Sequence, residues 1–451
     1  MADNKTEDRA SSRLEALNSA ISDGMFNRAR QLLETLHPAE VARLLEAVPR
    51  TQRYLIWQLI SDDQGDILSH VNDEVRSGLI DEMEDDELLA AATEMDMDDL
   101  ADVYDDLPED VTRQLLTIMG VQDRHRLLAV LSYPEDSAGG LMNTDTITVR
   151  SDVTLEVVLR YLRIKKELPA MTDSLSVVGR HDDLIGTLPL TSILTSDPDS
   201  KVSDIMDSSS QAVLATTPAV EVAAQFELHD LISAPVVDES NKLLGRITID
   251  DVVDVIRDEA DQDLMRMAGL DEDEDVFAPV IPSATRRAVW LGINLCTALL
   301  ASWVIGLFEA TLDQIVALAI LMPIVASMGG IAGSQTLTLV IRSMALGQLG
   351  RSNTRWLLIK EVSVGALNGV LWAIAIGIVA FLWFDDLDIA LIIAAALIIN
   401  LVVATFSGVT LPLLLKKRGV DPALAGSVLL TTITDVVGFM AFLGLATWWM
   451  L

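Results

Sequence analysis

The chain is short of several residue types on which common kinds of protein depend. Its one cysteine among 451 residues, Cys296, stands in an apolar run, which excludes a secreted disulfide scaffold. The five histidines, His37, His70, His125, His181 and His229, have no ligand-like spacing, so no zinc site or hydrolytic base is written into them. Bases are scarce: 24 Arg and 8 Lys stand against 67 Asp and Glu, a net charge of −35. So negative a surface excludes nucleic acid as a natural partner. The opening Met1-Ala2-Asp3-Asn4-Lys5 begins no apolar stretch of signal-peptide type, and the acidic part is therefore expected to stay cytoplasmic.

What is present is divided unevenly. Before residue 283 there are 59 acidic and 23 basic residues; from there to the end there are 8 and 9. The last 169 residues hold apolar runs long enough to cross a hydrocarbon layer of roughly 30 Å, which excludes a purely soluble protein. The acidic excess and the preference for Arg over Lys suit a salt-rich cytoplasm, where repulsion is screened, and equally an acidic surface that senses cations.

Residues 1–13 are polar and expected to be disordered. Residues 14–131 read as a helical domain, with apolar side chains at spacings of three and four and almost no β-branched runs. The units closing at Pro49 and Pro108 lie 59 residues apart, with another around Val71–Leu89 between them. Short helices cannot bury their apolar stripes alone, so stacking into a superhelix is predicted. A second repeat covers 138–200 and 201–258. Val177-Val178-Gly179 pairs with Val236-Val237-Asp238 and Gly186 with Gly245, each 59 residues apart. Each copy alternates short strands with helices, a β-α-β-β-α module present twice. It resembles the CBS-domain pair. Gly245-Arg246-Ile247-Thr248-Ile249-Asp250-Asp251 is similar to that family's closing signature, whose final Asp can hold a ribose. The resemblance therefore implies a place for ATP or another adenine nucleotide in the second copy. The first copy, ending Leu190-Thr191-Ser192, has no acid there. Residues 259–285 form a connecting helix and linker with the acidic run Asp271-Glu272-Asp273-Glu274-Asp275.

From 286 to 451 five spans are predicted, at about 288–308, 314–341, 357–384, 388–415 and 423–449. Arg286 and Arg287, then Arg342, Arg351, Arg355 and Lys360, then Lys416, Lys417 and Arg418 all fall on one side of the layer. The opposite loops carry Glu309, Asp313, Asp385, Asp386 and Asp388 and no base. Positive residues inside place the N-terminus in the cytoplasm and Leu451 outside the cytoplasmic membrane. Trp303, Trp383, Trp448 and Trp449 mark the outer boundary, with Trp290 and Trp356 at the inner one. Within the spans, Pro323, Ser327, Gly329, Gly330, Gly333, Ser334 and Gln335 interrupt the second, and Thr431, Thr432, Thr434, Asp435 and Gly438 the fifth. Asp435 lies fourteen residues beyond Asp421 at the inner edge, about 21 Å of helical rise. A carboxylate near mid-bilayer implies a water-filled path or a bound cation. Carboxylate, hydroxyl and backbone oxygens suit hydrated Mg²⁺, and the absence of a His, Cys or Met cluster speaks against copper or zinc as cargo.

Several motifs then converge: Met322-Pro323, Gly329-Gly330-x-x-Gly333-Ser334-Gln335, Lys360-Glu361, Gly419-Val420-Asp421-Pro422-Ala423, and Thr431-Thr432-x-Thr434-Asp435-x-x-Gly438. Together with the order of parts, they resemble the MgtE family of magnesium channels over nearly the whole chain. The resemblance implies a homodimer in the bilayer, with a pore at the two-fold axis lined by spans two and five and Asp435 as its carboxylate. It also implies regulatory Mg²⁺ sites. By local motif these match Asp98 and Asp102 in the N-domain, Asp230 and Asp251 in the second CBS copy, Glu259 and Asp263 in the connecting helix, and Asp421 at the membrane face. Glu74 matches a further N-domain ligand. Ile331 stands where the family has Asn, and Pro218, Val220 and Gln262 stand where acids are expected.

The fold class expected is a multidomain membrane protein: an all-α superhelical N-domain, an α/β CBS-domain pair, a connecting helix and a five-helix transmembrane domain. The function expected is a Mg²⁺ channel, not an enzyme, closed by cytoplasmic Mg²⁺. A cation-coupled carrier of Mg²⁺, Co²⁺ or Mn²⁺ and a non-conducting ion or nucleotide sensor are the alternatives. A carrier needs a second ionisable relay inside the membrane, and none is evident: Glu361, the other interior acid, sits within a few residues of the inner edge.

Overall fold

The computed structural model describes residues 17–451 apart from 18, 22, 167, 210, 271–274, 346 and 351, and apart from the side chain of Asp263. The expected disordered tail 1–13, four residues of the acidic run, Arg351 and the Asp263 carboxylate thus lie outside the described residues. The chain divides into two compact units, Met1–Ala260 with Asp273–Ala278, and Asp261–Glu272 with Pro279–Leu451.

The first unit opens with short helices: α1 (Phe26–Leu33), α2 (Pro38–Glu46), α3 (Arg50–Trp57), α4 (Gln64–Ser69), α5 (Asp73–Ile80), α6 (Asp85–Glu94), α7 (Met97–Tyr104), α8 (Glu109–Ile118) and α9 (Val121–Val130). Proline explains the spacing. Pro38 is the first residue of α2, where its missing N–H is unneeded, and His37 before it forms a capping box with Glu40. Pro49 and Pro108 cap α3 and α8, so each ends one unit by starting the next. The helices stack on the next but one, α2 on α4, α4 on α6 and α6 on α8. Their apolar stripes merge into one core running from Leu17 past Trp57, which is fully buried, to Leu127.

Next come β1 (Thr148–Arg150), α10 (Leu155–Lys165), β2 (Ser174–Val178), β3 (Leu184–Pro189), α11 (Leu190–Thr195) and α12 (Val202–Ile205). The second copy follows with β4 (Val213–Leu214), α13 (Ala219–His229), β5 (Ser233–Val237), β6 (Leu243–Thr248) and α14 (Ile249–Ala268). Each copy is a three-stranded sheet, the first pair parallel and the second antiparallel, with a bulge at the same repeat position, after Val177 and after Val236. Each copy thus runs β-α-β-β-α, as the repeat in the sequence leads one to expect. The copies also interlock: Asn143, at the head of the first copy, bridges to Arg246 in β6, and Asp207, at the head of the second, bridges to Thr187 in β3. That crossing explains the repeated glycines, since a Cβ on Gly245 would lie 2.7 Å from the Asn143 carbonyl oxygen and one on Gly186 would strike that of Asp207.

In the second unit, five helices among the described residues are long and apolar enough to cross a membrane. They are α15 (Val280–Gly306), α17 (Val316–Ala345), α18 (Thr354–Phe384), α19 (Leu387–Lys417) and α20 (Pro422–Met450), with a short α16 (Glu309–Gln314) after the first. α15 starts eight residues earlier than the pattern predicts, because Pro279 caps it and Pro282 fits its first turn. α19 is the central helix, packed on α17, α18 and α20. Large apolar side chains such as Leu291, Leu367 and Leu382 point outward, as lipid-facing surfaces require.

Candidate ion path and acidic cluster

α17 and α20 together line an open groove of about 760 Å³. Ser327, Gly330, Ile331, Ser334, Gln335 and Thr338 form one wall, and Thr431 and Asp435 stand on the other. This unites the two polar segments singled out in the sequence. Thr431 Oγ1 donates to the Ser427 and Val428 carbonyls, so its lone pairs remain for a groove occupant. Pro323 stands inside α17 but does not line the groove. The donor set is hard and oxygen-only, as a hydrated Mg²⁺ requires; Met322 packs in the core instead. Ile331 is in the groove wall and brings an apolar side chain to it.

Besides the buried hydroxyls of Thr336, Thr405, Ser407 and Thr434, the described spans hold a buried acid, Glu361, and a buried amide, Asn400. Glu361 is buried, accepts from Thr336 Oγ1 at 3.2 Å and pairs with its neighbour Lys360. It does not line the groove. Asn400, fully buried on α19, donates through Nδ2 to the Val325 carbonyl at 2.8 Å. Asn400 is not among the residues that the sequence motifs single out, although an amide halfway along an apolar run is signal enough.

In the first unit, Asp98 and Asp102 lie one turn apart on α7, and the face they share packs on the second CBS copy, where Ala101 joins the core around Val252. Asn143 Nδ2 donates to Asp98 at 3.3 Å. Asp251, in the first turn of α14, accepts from Thr248 Oγ1 at 3.1 Å. Burial pushes the Asp251 carboxyl up to about 8, with Asp98 the next contributor and Asp250 after it. Asp98 is raised mainly by burial, and Asp99 reaches about 7 through burial and then the charges of Asp98 and Asp96. Asp102 lies on the exposed rim, yet enough protein surrounds it that desolvation, followed by Glu135 and Asp99, takes it to about 7. Glu135 is raised by burial, then by Asp73 and Asp136. Asp96, Asp98 and Asp99 each bring a carboxylate oxygen within 4.8 Å of the others. The fold thus brings Asp98, Asp102 and Asp251 together and adds Asp96, Asp99 and Glu135, which sequence motifs alone do not single out.

The remaining expected ligands lie elsewhere. Asp230 is exposed and ends α13 in the left-handed region at φ 52°. Glu259 is half-buried midway along α14. Glu74 accepts from the Asp275 backbone N–H at 2.7 Å. Asp275 also pairs with Arg53 through two bonds of 2.7 and 2.8 Å, both side chains being buried. Burial raises the Asp275 carboxyl, but the Arg53 guanidinium and the Phe277 N–H outweigh it and hold it below the usual carboxylate range. In the second unit, Asp421 caps α20 by accepting from the Ala423 N–H and lies 3.6 Å from Arg266 at the end of the connecting helix. Met267 beside it packs against the C-terminal part of α17 and the N-terminal part of α20, around Leu337, Ile341, Ala423 and Leu430.

Comparison with known proteins accounts for this arrangement. Residues 322–445 match the family model described as a divalent cation transporter, 36–136 match the MgtE intracellular N domain, and 202–258 match the CBS domain. The magnesium transporter MgtE of Thermus thermophilus is 30% identical over 438 residues, which is 96% of this chain and 97% of that one. The chain belongs to the MgtE family. The Bacillus subtilis magnesium transporter MgtE is 29% identical over 449 residues, 99% of both chains. A crystal structure of the cytosolic domain of the Mg²⁺ channel MgtE in complex with ATP is 30% identical, covering 54% of this chain and 99% of that one at a TM-score of 0.49. MgtE proteins are magnesium transporters rather than enzymes, and this chain is accordingly a multi-pass membrane protein with a helical N-domain, a CBS pair and five apolar helices. Its matched transporter segment contains both groove walls, Asp435 included.

Proposed function

We propose that the chain is a Mg²⁺ channel of the cytoplasmic membrane, closed by Mg²⁺ bound to its acidic cytoplasmic part. The observation that carries this reading is Asp435, a carboxylate in the middle of an apolar span that faces an open groove among hydroxyl and amide oxygens. A mere anchor has no use for it, because lipid penalises such a group. A groove open on one side becomes an enclosed path when a second copy faces it, which supports a homodimer with the path on its two-fold axis. The nine basic flanking residues support an N-terminus in the cytoplasm and a C-terminus outside.

Closure is assigned to the cluster of Asp98, Asp102 and Asp251 with its added acids, and to Glu259, Asp263, Asp230, Asp421 and Glu74 as further regulatory positions. Apposed carboxylates repel, and a divalent cation between them relieves that repulsion. An adenine nucleotide belongs, on this reading, to the second CBS copy, where Asp251 is the acid; Ser192 in the first copy offers no equivalent.

The test is flux into liposomes with Mg²⁺, Mn²⁺, Co²⁺ and Ca²⁺ in parallel. Passive Mg²⁺ uptake down its gradient, without ATP or a proton gradient, is expected. Strict dependence on a proton gradient would make the chain a coupled carrier, and absence of any flux a sensor.

A further inference from the structure

Asn400 sits behind the groove, between its two walls. Its side chain is fully buried, and its amide lies against Gly329 of α17 on one side and Gly438 of α20 on the other. A Cβ on Gly438 would lie 2.7 Å from Asn400 Nδ2, and one on Gly329 would collide with the same atom. Both helices therefore approach the amide as closely as backbone allows. Nδ2 donates to the Val325 carbonyl, one turn before Gly329, which fixes the orientation of the amide. Its Oδ1 is buried with no hydrogen-bond partner among the described residues. A branched apolar side chain of similar volume would leave no such orphan, so the amide is retained for what it positions rather than for stability.

The levels match. Gly329 adjoins Gly330 of the groove wall, and Gly438 lies one turn beyond the fully buried Thr434, beside Asp435. We propose that Asn400 is a positioning residue that clamps α17 to α20 from behind, so setting the width of the groove at Asp435 and with it the preference for Mg²⁺ over Ca²⁺. Mg²⁺ keeps its waters in a strict octahedron, whereas Ca²⁺ accepts a looser and larger shell. A path matched to the first loses its preference when its walls shift by a fraction of an ångström. The inference rests on reading the groove as the ion path.

The experiment measures the ratio of Mg²⁺ to Ca²⁺ flux in liposomes for the full chain, Asn400→Leu, Asn400→Asp, Gly438→Ala and Asp435→Ala, each checked for monodispersity. Asn400→Leu and Gly438→Ala are expected to lower the ratio at least fivefold. Asn400→Asp is isosteric, and only its protonated form can donate to the Val325 carbonyl. Burial beside a carbonyl favours that protonated form, so the Asn400→Asp ratio should stay near the parent's while that of Asn400→Leu is low. Gly438→Ala, which leaves the amide in place, carries the decision if Asn400→Leu does not assemble. Ratios within twofold of the parent for Gly438→Ala, with flux lost in Asp435→Ala, would overturn the inference and leave the ion path standing. Parent-like flux in Asp435→Ala would instead remove the path on which it rests.

Discussion

At the scale of the residue, the sequence is enough to single out Asp435 as a candidate, because an acid in an apolar span has few bland explanations, and the structure places it in the wall of a groove. Asp435→Ala is expected to lower Mg²⁺ flux at least tenfold while leaving the fold intact, since the side chain faces the groove and not packed protein. Asp435→Asn should keep a hydrated path but lose the preference for divalent over monovalent ions. Parallel flux measurements with Mg²⁺ and Na⁺ check both, and Mg²⁺ flux in Asp435→Ala equal to the parent's would refute the role. Other residues are not legible to the same degree. Asn400 and Glu361 acquire meaning only from what packs beside them, the glycines of α17 and α20 in one case and Thr336 in the other. Asp421 shows the opposite limit: its motif suggests a cation ligand, and the structure gives its carboxylate a helix cap and Arg266.

At the scale of the element, periodicity and proline placement are enough to predict stacked helices, the twofold β-α-β-β-α repeat and the five long spans. The crossing of Asn143 onto β6 and Asp207 onto β3 is not predictable, because single-residue bridges leave no periodic trace. Nor is the docking of the linker. Its acidic run reads as solvated, yet Asp275 is buried against Arg53 and Glu74. Arg53→Ala would strand the Asp275 carboxylate, and losing one partner of a buried pair costs about 3–5 kcal/mol. The linker should then release from the first unit and become open to protease near Phe277. Because the folded Asp275 carboxyl is held low, the pair's contribution is full above about pH 4, the ordinary carboxylate range, and is lost as pH falls through the lower folded value. An unchanged cleavage pattern in Arg53→Ala at pH 7 would count against this role for the pair.

The acidic cluster has the opposite sign. Asp99 and Asp102 near 7 and Asp251 near 8 bind protons that the unfolded chain, titrating near 4, has already released. Their contribution to stability is full below about pH 4 and is lost as pH rises through 7 to 8. A divalent cation occupying the cluster displaces those protons. Mg²⁺ binding at pH 7 should therefore release protons, seen as a calorimetric heat that varies with the ionisation enthalpy of the buffer, and the release should vanish near pH 9.5. Buffer-independent heats at pH 7 would mean that Mg²⁺ binds elsewhere.

At the scale of the whole molecule, the question is whether the acidic excess is a sensor or a solvation device. Both explain a surplus of 36 negative charges before residue 283, and they differ in what happens when particular acids are removed. If the excess serves solubility, any three surface acids are equivalent. If it senses Mg²⁺, positions at the packed face between α7 and the second CBS copy matter most, because there desolvation makes uncompensated charge expensive. Mg²⁺ shifts the chain towards its closed form only by binding that form better than the open one. The combined variant Asp98→Ala, Asp102→Ala, Glu259→Ala should accordingly need at least threefold more Mg²⁺ both to close and to resist proteolysis. A control that removes three exposed acids of α6 and its approach, Glu84→Ala, Asp85→Ala and Asp86→Ala, should match the parent. Monovalent salt sharpens the contrast: screening over a few ångströms at molar salt weakens the attraction of Mg²⁺ to the cluster, so the parent's own midpoint should rise with salt. Pro218, Val220 and Gln262 already stand where the family resemblance implies acids, so on the proposed reading the parent's midpoint is expected to lie above that of a relative retaining them. Patch recording and limited proteolysis in the same salt give the two midpoints independently. Equal shifts in the sensing and control variants would assign the charge to solubility in a salty cytoplasm, and closure would then have to come from the membrane unit alone.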